Sequence, residues 1–406
     1  MDKKEIEKKA EAYALKNALS HEGKATQKPI LAGLFNDGLK KDEVKKYTKK
    51  ISNIVKEVNS LSIKEQENKF EKLREKISER KIREGLQELP NVSKSGVVMR
   101  FAPSASGPMH IGHALTACLS FLYVKKYGGK FYVRIEDTNP ENIYTPAYKM
   151  LEKESKWLFE GVAKVIIQSN RLEIYYKYIE RLIRKKAVYV CGCSAEDFRK
   201  FVSAKKNCPC RKLGIKENME RWKKMLDKKG FKEGGAVLRF KSNMKHKNPA
   251  MRDFPLARIN IKEHVLQGKK YRVWPLMNLA VTVDDIEMKM THIIRGKDHR
   301  DNAKRQEMIF KILEKKFPWT GFLGRIKFKD MELSTTKMRQ AIEQGKYSGW
   351  DDKKLPTIAS LKKQGYKPEA FWKFSEQVGL SESDKVIDKK EYFKLLDAFN
   401  KKAQDF

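Results

Sequence analysis

Residues 97–135 constrain the fold of this chain more than any other stretch. A short apolar run, residues 97–101, precedes a turn rich in small residues, and apolar residues then recur at helical spacing over residues 114–127. Gly128-Gly129 stops that helix, and residues 130–135 are predicted to form a second strand. Two strands joined by such a helix are most simply parallel, with a right-handed crossover. The sequence therefore predicts an α/β fold.

The turn after the first predicted strand, residues 103–113, reads Pro-Ser-Ala-Ser-Gly-Pro-Met-His-Ile-Gly-His. It falls at the carboxyl edge of the sheet, where open α/β folds bind ligands. His110 and His113 share one face of the helix start, and Gly112 leaves room for a flat ring. The alternative is a purely structural role, in which the two histidines only form local hydrogen bonds at an ordinary helix start. The strand-turn-helix context favours a nucleotide-phosphate site.

Length and charge set the class of protein and partner. A chain of 406 residues with 40% hydrophobic content is long enough for two to four structural units. Its formal net charge of +36 favours a polyanionic partner, and nucleic acid is the usual one. No apolar run approaches the ~20 residues of a membrane span, and the start of the chain has no signal-peptide hydrophobic region. We expect a cytoplasmic protein with no membrane partner.

Five motifs in order along the chain are similar to those of a known family. Residues 103–113 resemble the nucleotide-binding signature of class I aminoacyl-tRNA synthetases, and residues 134–140 resemble the next motif of the glutamyl and glutaminyl members. Residues 271–275, the pair Asp284-Asp285 and residues 291–299 resemble glutamyl-tRNA synthetases of archaeal and eukaryotic type. Several motifs in the family's order are far more specific than any single match.

The resemblance implies a domain plan. We expect a Rossmann-like class I synthetase catalytic domain with an inserted acceptor-binding domain, flanked by N-terminal and C-terminal helical domains. The expected boundaries are an N-terminal helical extension at 1–95, the first catalytic half at 96–190, an inserted acceptor-end-binding domain at 191–270, the second catalytic half at 271–337 and a helical stem-contact domain at 338–406.

The resemblance also implies an activity. The chain would activate glutamate with ATP and Mg²⁺ to glutamyl-adenylate, then transfer the glutamyl group to the 3′ end of tRNA. Two alternatives stay open from the residues: a glutaminyl-tRNA synthetase or another glutamyl-transferring relative, and a non-catalytic tRNA-binding module derived from a synthetase.

The ATP site implied by the resemblance combines the signature with a later basic loop. His110 and His113 would contact the phosphates as catalytic residues, beside Ser106, Gly107 and Gly112. In the loop at residues 332–337, which reads Glu-Leu-Ser-Thr-Thr-Lys, glutamate and threonine stand where the family's two lysines are common. Lys337 is therefore the candidate cation, with Arg339 as the alternative. The non-functional alternative is that these residues are simply a polar turn at the start of a helix.

The amino-acid pocket needs a guanidinium for the substrate carboxylate and a carboxylate for its ammonium. By analogy these contacts fall to Arg100, Ala102, Ser104, Glu136 and Arg295, while Arg134 and Asp137 could instead form a structural ion pair. Met277 stands where the family usually has tyrosine and cannot donate a phenolic hydrogen bond, a loss that Asn278 could offset.

Four cysteines form two tight pairs, Cys191 with Cys193 and Cys208 with Cys210. Four thiolates brought together this way could bind a structural zinc ion, since a closed set of four leaves no open position for catalysis. The alternative is four reduced thiols at the base of a loop. Cys118 is predicted to be a core residue.

The expected RNA partner is tRNA(Glu), with tRNA(Gln) also open. Lysine-rich runs such as residues 223–224 and 245–247 could track its backbone, although any one run is equally a solvated face. No strands typical of an anticodon-binding β-barrel are predicted after Asp397. A separate anticodon-binding polypeptide, an evolutionary loss and a shortened chain all explain that pattern.

Overall fold

The computed structural model describes residues 3–40, 42–77 and 85–404, and the chain divides into two units between residues 84 and 85. The first unit is helical over its described residues, with apolar stripes on its helices meeting in one core that includes Leu15, Ile30 and Ile54. Its helices are α1 (Lys3–Leu19), α2 (Gln27–Asn36), α3 (Val44–Asn59) and α4 (Ile63–Leu73).

The second unit is built on parallel strands. They are β1 (Val97–Phe101), β2 (Gly129–Ile135), β3 (Lys164–Ile167), β8 (His292–Gly296) and β9 (Trp319–Leu323). β2 pairs with β1 and β3, and β8 pairs with β9, all in parallel register. The Thr291 N–H donates to the Val98 carbonyl at 3.0 Å, which sets β8 beside β1. The strand order β3-β2-β1-β8-β9 confirms the predicted α/β fold.

The strand-helix-strand unit predicted from the sequence is present. Helix α5 (Ile111–Tyr127) joins β1 to β2 and begins before the predicted start, because His110 caps it. Gly128 ends it with a φ of 73°, a conformation that costs glycine little. Helix α5 packs against β1, β2 and β8, and helix α6 (Ala147–Leu158) packs against β2. Helices α7 (Leu172–Arg184), α10 (Met277–Glu287) and α11 (Arg300–Ile312) share a second apolar core.

An antiparallel sheet interrupts this core. Its strands are β4 (Val188–Cys191), β5 (Val237–Phe240), β6 (Pro255–Ile259) and β7 (Val273–Pro275), with helices α8 (Ala195–Ser203) and α9 (Ile215–Leu226) between β4 and β5. β7 leads directly into α10 and so returns the chain to the parallel core.

The remaining part of the chain is mostly helical. Helices α12 (Thr335–Glu343), α13 (Ile358–Lys363), α14 (Pro368–Val378) and α15 (Lys389–Gln404) follow the parallel sheet. A short strand, β11 (Lys385–Ile387), pairs in parallel with β10 (Ile326–Phe328), a contact the sequence did not predict. Cys118 is fully buried in the main core, as predicted. Within the described ranges, every helix is too short or too polar to cross a bilayer.

Candidate active site

The signature turn places two histidines against each other at the start of α5. The imidazole rings of His110 and His113 stack with centroids 3.8 Å apart and planes 17° apart. Nδ1 of His110 accepts the Gly112 N–H at 3.1 Å, and Nδ1 of His113 accepts the His110 N–H at 3.4 Å. Because both Nδ1 atoms accept, a neutral ring at either position bears its proton on Nε2, which can donate to a phosphate oxygen.

The pKa values of these rings keep them neutral. Burial lowers the pKa of His113 to about 4, and burial together with the neighbouring His113 lowers the pKa of His110 well below its ordinary value. Two neutral rings can stack closely without charge repulsion. The pair therefore offers hydrogen-bond donors, not full positive charges, near neutral pH.

The loop before α12 packs onto the signature turn. A Cβ atom added to Gly107 would lie 2.2 Å from Cγ2 of Thr335, and one added to Gly112 would lie 2.9 Å from Cδ1 of Leu333. Only glycine at these two positions allows so close an approach. The structure thus brings the signature and the predicted basic loop together.

The cation of that loop is paired within the loop itself. Nζ of Lys337 lies 2.8 Å from a carboxylate oxygen of Glu332, and both side chains are exposed. Ser334 caps α12: its Oγ accepts the Lys337 N–H at 3.4 Å. The alternative candidate, Arg339, lies 3.8 Å from Glu343 and over the Tyr144 ring. An exposed ion pair of this kind is weak, so a phosphate could replace Glu332 as the partner of Lys337.

A cavity of about 550 Å³ opens beside the histidine pair. Its wall combines the signature with the carboxyl ends of β8 and β9, which is the edge where parallel sheets bind ligands. The polar and glycine residues in the wall include His110, Gly112, His113, Gly296, Asp298 and Arg325.

A buried ionic network lies under the predicted amino-acid pocket. Asp285 accepts from Nε of Arg100 at 2.7 Å and from Nη1 of Arg134 at 2.6 Å. Although burial alone would raise the pKa of Asp285, the two guanidinium groups hold it below its ordinary value. The adjacent Asp284 is fully buried and lies 2.7 Å from Nε of Arg171. The pair Asp284-Asp285 noted in the sequence thus ties β1, β2 and α7 to α10.

Arg134 pairs with this network and not with Asp137. Nη2 of Arg134 also lies 3.4 Å from Oε1 of Glu136, a side chain that keeps some exposure. The Asp137 carboxylate instead accepts from the Tyr148 hydroxyl at 2.7 Å and the Ser169 N–H at 2.8 Å. The structural ion pair considered between Arg134 and Asp137 is therefore absent, because each side chain is satisfied by other partners.

Arg295 is a buried cation with no acidic partner among the described residues. Its side chain donates from Nη1 to Oε1 of Gln306 at 2.8 Å, while its Nε is buried without a hydrogen bond. No carboxylate in the described part of the chain lies within ion-pairing distance of it. Burial, and then the charge of Arg100, lower the pKa of Arg295 to about 10, so it stays charged at neutral pH. A buried, unneutralised guanidinium favours binding of a carboxylate or phosphate.

Gln306 is a residue that the sequence analysis missed. Its Nε2 donates to Oδ1 of Asn278 at 3.3 Å, and Nδ2 of Asn278 lies 3.3 Å from Oδ1 of Asn302. The row of amides holds Gln306 so that its oxygen faces Arg295. Asn278 is thus part of the support for Arg295, whereas Met277 beside it provides no polar group. No local sequence signal marks Gln306, which lies in the middle of α11.

Ser104, Ala102 and Ser106 lie on the same edge as the network. The Glu136 N–H donates to the Pro103 carbonyl at 2.8 Å, which extends the β1 and β2 pairing past the sheet. The hydroxyls of Ser104 and Ser106 are 2.9 Å apart. Ser104 and Glu136, predicted for the amino-acid site, and Ser106, predicted for the ATP site, are therefore neighbours.

The four clustered cysteines meet at the end of β4. Their sulfur atoms all lie within 4.8 Å of one another. Cys208 Sγ is 3.6 Å from Cys191 Sγ and 3.4 Å from Cys193 Sγ, and Cys193 Sγ is 3.9 Å from Cys210 Sγ. These separations are too long for a disulfide bond. They fit the sulfur–sulfur spacing of roughly 3.8 Å that a tetrahedral site with Zn–S bonds of about 2.3 Å requires.

Comparison with known proteins agrees with the arrangement. The catalytic-domain model of the class I tRNA synthetases (E and Q) matches residues 96–403. The glutamate–tRNA ligase of Methanocaldococcus jannaschii is 42% identical over 380 residues, which is 93% of this chain and 68% of that protein. The glutamate–tRNA ligase of Thermococcus onnurineus is 42% identical over 388 residues, covering 92% of this chain and 67% of that protein.

Solved structures agree on the fold. A crystal structure of a glutamate tRNA ligase from Elizabethkingia meningosepticum in complex with its amino acid superposes with a TM-score of 0.51 at 21% identity, over 76% of this chain and 69% of that one. The glutamate-tRNA synthetase of Elizabethkingia anophelis superposes with a TM-score of 0.50 at 21% identity, over 74% and 70%. With a family model spanning most of the chain and relatives above 40% identity, this chain belongs to the class I tRNA synthetases of the glutamyl and glutaminyl (E and Q) family.

Proposed function

We propose that the chain is a glutamate–tRNA ligase. An oxygen of the glutamate α-carboxylate attacks the α-phosphorus of ATP, supplied as its Mg²⁺ complex, and pyrophosphate leaves. A ribose hydroxyl of the terminal adenosine of tRNA then attacks the acyl carbon of the bound glutamyl-adenylate, and AMP leaves. The observation that supports this most directly is the buried Arg295, a guanidinium that forms no ion pair with any acid of the described chain.

The charge balance of the pocket favours glutamate over glutamine. The ion-paired network contains three guanidinium groups and three carboxylates, and the unpaired Arg295 beside it leaves one excess positive charge. Free glutamate bears one net negative charge and glutamine bears none. Of these two amino acids, only glutamate therefore neutralises this group of charges. Its members are Arg100, Arg134, Arg171, Arg295, Glu136, Asp284 and Asp285.

Within this group of charged residues, the proposed role of each side chain follows from which of its hydrogen-bonding groups are not already engaged. Arg100 has two of its nitrogens on Asp285, so it binds a substrate carboxylate only through its remaining N–H groups. Arg295 forms no ion pair, so its guanidinium can bind the substrate carboxylate directly. The partly exposed Glu136 provides a carboxylate for the substrate ammonium, and Ala102 and Ser104 line the approach. We propose Arg295 as the principal carboxylate ligand.

The nucleotide lies on the signature side of the same edge. His110 and His113 donate from Nε2 to phosphate oxygens, and the backbone around Ser106, Gly107 and Gly112 allows the phosphates to approach closely. Lys337 exchanges Glu332 for the leaving pyrophosphate. Because charge develops on the departing group, a donor aligned with it lowers the barrier more than it strengthens ground-state binding.

Metal binding is proposed at the cysteine cluster. Cys191, Cys193, Cys208 and Cys210 would hold a structural Zn²⁺, whose four protein ligands leave no position for substrate. The ion would tie the end of β4 to the segment before α9. The inserted region, residues 191–270, would then present a fixed surface to the acceptor end of tRNA, and residues 338–406 would contact its stem.

The proposed tRNA partner is tRNA(Glu). Experiment decides whether tRNA(Gln) is also charged and whether a separate anticodon-binding polypeptide takes part. Aminoacylation with purified tRNA(Glu) and tRNA(Gln), each with radiolabelled glutamate or glutamine, tests the proposal. Glutamate-dependent charging, and exchange of pyrophosphate into ATP, are expected. Charging with glutamine would identify a glutaminyl enzyme. Tight tRNA binding without adenylate formation or charging would identify a non-catalytic module.

A further inference from the structure

The backbone of the signature turn is held from two sides by parts of the chain outside the signature. On one side, residues 356–358 run antiparallel to residues 109–111: the Ile111 N–H donates to the Pro356 carbonyl at 3.0 Å, and the Ile358 N–H donates to the Met109 carbonyl at 2.9 Å. On the other side lies α6. Met109 immediately precedes His110, so its position sets where the histidine side chain begins.

Glu154 on α6 makes the contact from that second side. Its Oε2 accepts the Met109 N–H at 2.7 Å, and the side chain is 7% exposed. Its Oε1 is buried and forms no hydrogen bond with the described residues. No Lys, Arg or His of the described chain forms an ion pair with it. A buried carboxyl with one oxygen unsatisfied carries a cost in stability, so the bond from Oε2 to the Met109 N–H is the contact that accounts for its place here.

We propose that Glu154 is a positioning residue for adenylate formation: by accepting the Met109 N–H, it fixes the turn that orients His110 and, through ring stacking, His113. This inference rests on the proposed function. Without the acceptor, the Met109 N–H is left buried and unsatisfied, and the turn gains freedom to move. A displacement of about 1 Å at a catalytic group can cost ~10²-fold in rate.

The chemistry of the contact predicts which replacement works. Burial raises the pKa of Glu154 to about 8, although the backbone amides of Met109 and Ala359 act in the opposite direction. The acceptor is therefore mostly a neutral carboxyl near neutral pH. Glutamine has the same length and keeps one carbonyl oxygen, whereas methionine has a similar volume and no comparable acceptor.

The test measures pyrophosphate exchange and ring stacking in three variants. In Glu154→Met, kcat should fall ~10- to 100-fold while KM for glutamate stays within ~3-fold, because the contact acts on the phosphate side of the site. Glu154→Gln should restore kcat to within ~3-fold of wild type. Ser155→Ala is the matched control: Ser155 is the next residue, is also buried, and its hydroxyl donates to the Leu151 carbonyl within α6. It should leave kcat unchanged.

A second readout separates this inference from the proposed activity. Stacked rings shift each other's NMR signals, so the C2 protons of His110 and His113 should move in Glu154→Met and stay in place in Glu154→Gln. If wild type lacks exchange activity, the proposed function fails and the NMR shifts still decide the inference. Wild-type kcat and unmoved ring signals in folded Glu154→Met would overturn it.

Glu154→Asp continues the test if the methionine variant does not fold. The aspartate retains the acid but withdraws its oxygens by about 1.5 Å, one carbon–carbon bond, from the Met109 amide. A kcat loss of ~10-fold or more, with moved ring signals, supports positioning. Wild-type exchange by folded Glu154→Asp would show that the contact is dispensable.

Discussion

The ring of His110 stacks on the ring of His113 at a centroid distance of 3.8 Å, and each ring accepts a backbone N–H through Nδ1. Stacking and capping together leave both Nε2 atoms as the available donors. The two residues thus act as one hydrogen-bonding surface rather than as two separate bases.

Replacing these histidines tests their role. His110→Ala and His113→Ala should each lower the rate of pyrophosphate exchange by ~10²-fold or more, the scale of losing a transition-state hydrogen-bond donor. The double variant should lose less than the product of the single effects, because each ring positions the other. Rates are measured at saturating ATP and glutamate. Near-wild-type exchange by the double variant would remove the histidines from the mechanism.

The titration of His113 provides an independent check. Because burial lowers its pKa to about 4, its C2 proton should not shift between pH 8 and pH 5.5, the range in which an unperturbed histidine titrates. In the unfolded chain this imidazole binds a proton below about pH 6.5, whereas in the folded chain it stays neutral until the pH approaches 4. This residue's contribution to stability is therefore full above pH 6.5 and declines as the pH falls towards 4. A titration midpoint above pH 6 would contradict the buried, neutral ring.

The sequence predicted the parts of the fold that local patterns encode. β1, α5 and β2 follow from apolar periodicity and the Gly128-Gly129 stop, and their parallel order follows from chain handedness. β11 has only three residues and its partner β10 is remote in sequence, so nothing local marks it.

The same distinction applies to the site. The spacing of the signature histidines was sufficient to expect them on one helix face, and the close cysteine pairs were sufficient to expect a cluster. The contacts of Arg295 with Gln306 and of Met109 with Glu154 join different elements, and both partners are common polar residues. Such pairs depend on tertiary packing, which the spacing of apolar and polar residues along the sequence does not predict.

The cysteine cluster predicts metal content. Protein purified without added zinc should contain about one equivalent, because a closed tetrahedral thiolate site binds tightly. Cys208→Ser should lose the metal and lower the melting temperature, since Cys208 contacts two of the other sulfurs. Cys118→Ala, a change at the buried cysteine outside the cluster, is the control and should retain the metal. If wild type contains no metal and all four thiols react at once with a thiol reagent, the cysteines do not bind metal and are only reduced thiols at the base of a loop.

Glu154 predicts a pH dependence of stability opposite in sign to that of His113. Its folded-state pKa of about 8 lies above the ordinary 4.5, so the folded chain holds a proton that the unfolded chain has released. Stability should therefore fall as the pH rises from 4.5 to 8, with a limiting slope of about 1.4 kcal/mol per pH unit. Urea unfolding of wild type and Glu154→Gln at several pH values isolates this term as their difference. A difference that does not change with pH would contradict the raised pKa.

Gln306 predicts a selective defect in amino-acid binding. Gln306→Leu removes the hydrogen bond that orients the Arg295 guanidinium, and bonds to charged groups contribute about 1.5–3 kcal/mol. Such a loss corresponds to a KM for glutamate raised ~10- to 100-fold, with KM for ATP nearly unchanged because the histidine pair is untouched. Gln364→Leu, just past the C-terminal end of α13 with its side-chain amide bonded to Ser360, is the matched control and should leave both KM values unchanged. If Gln306→Leu shifts the KM for ATP as strongly as that for glutamate, Gln306 supports the fold in general and Arg295 loses its assigned role.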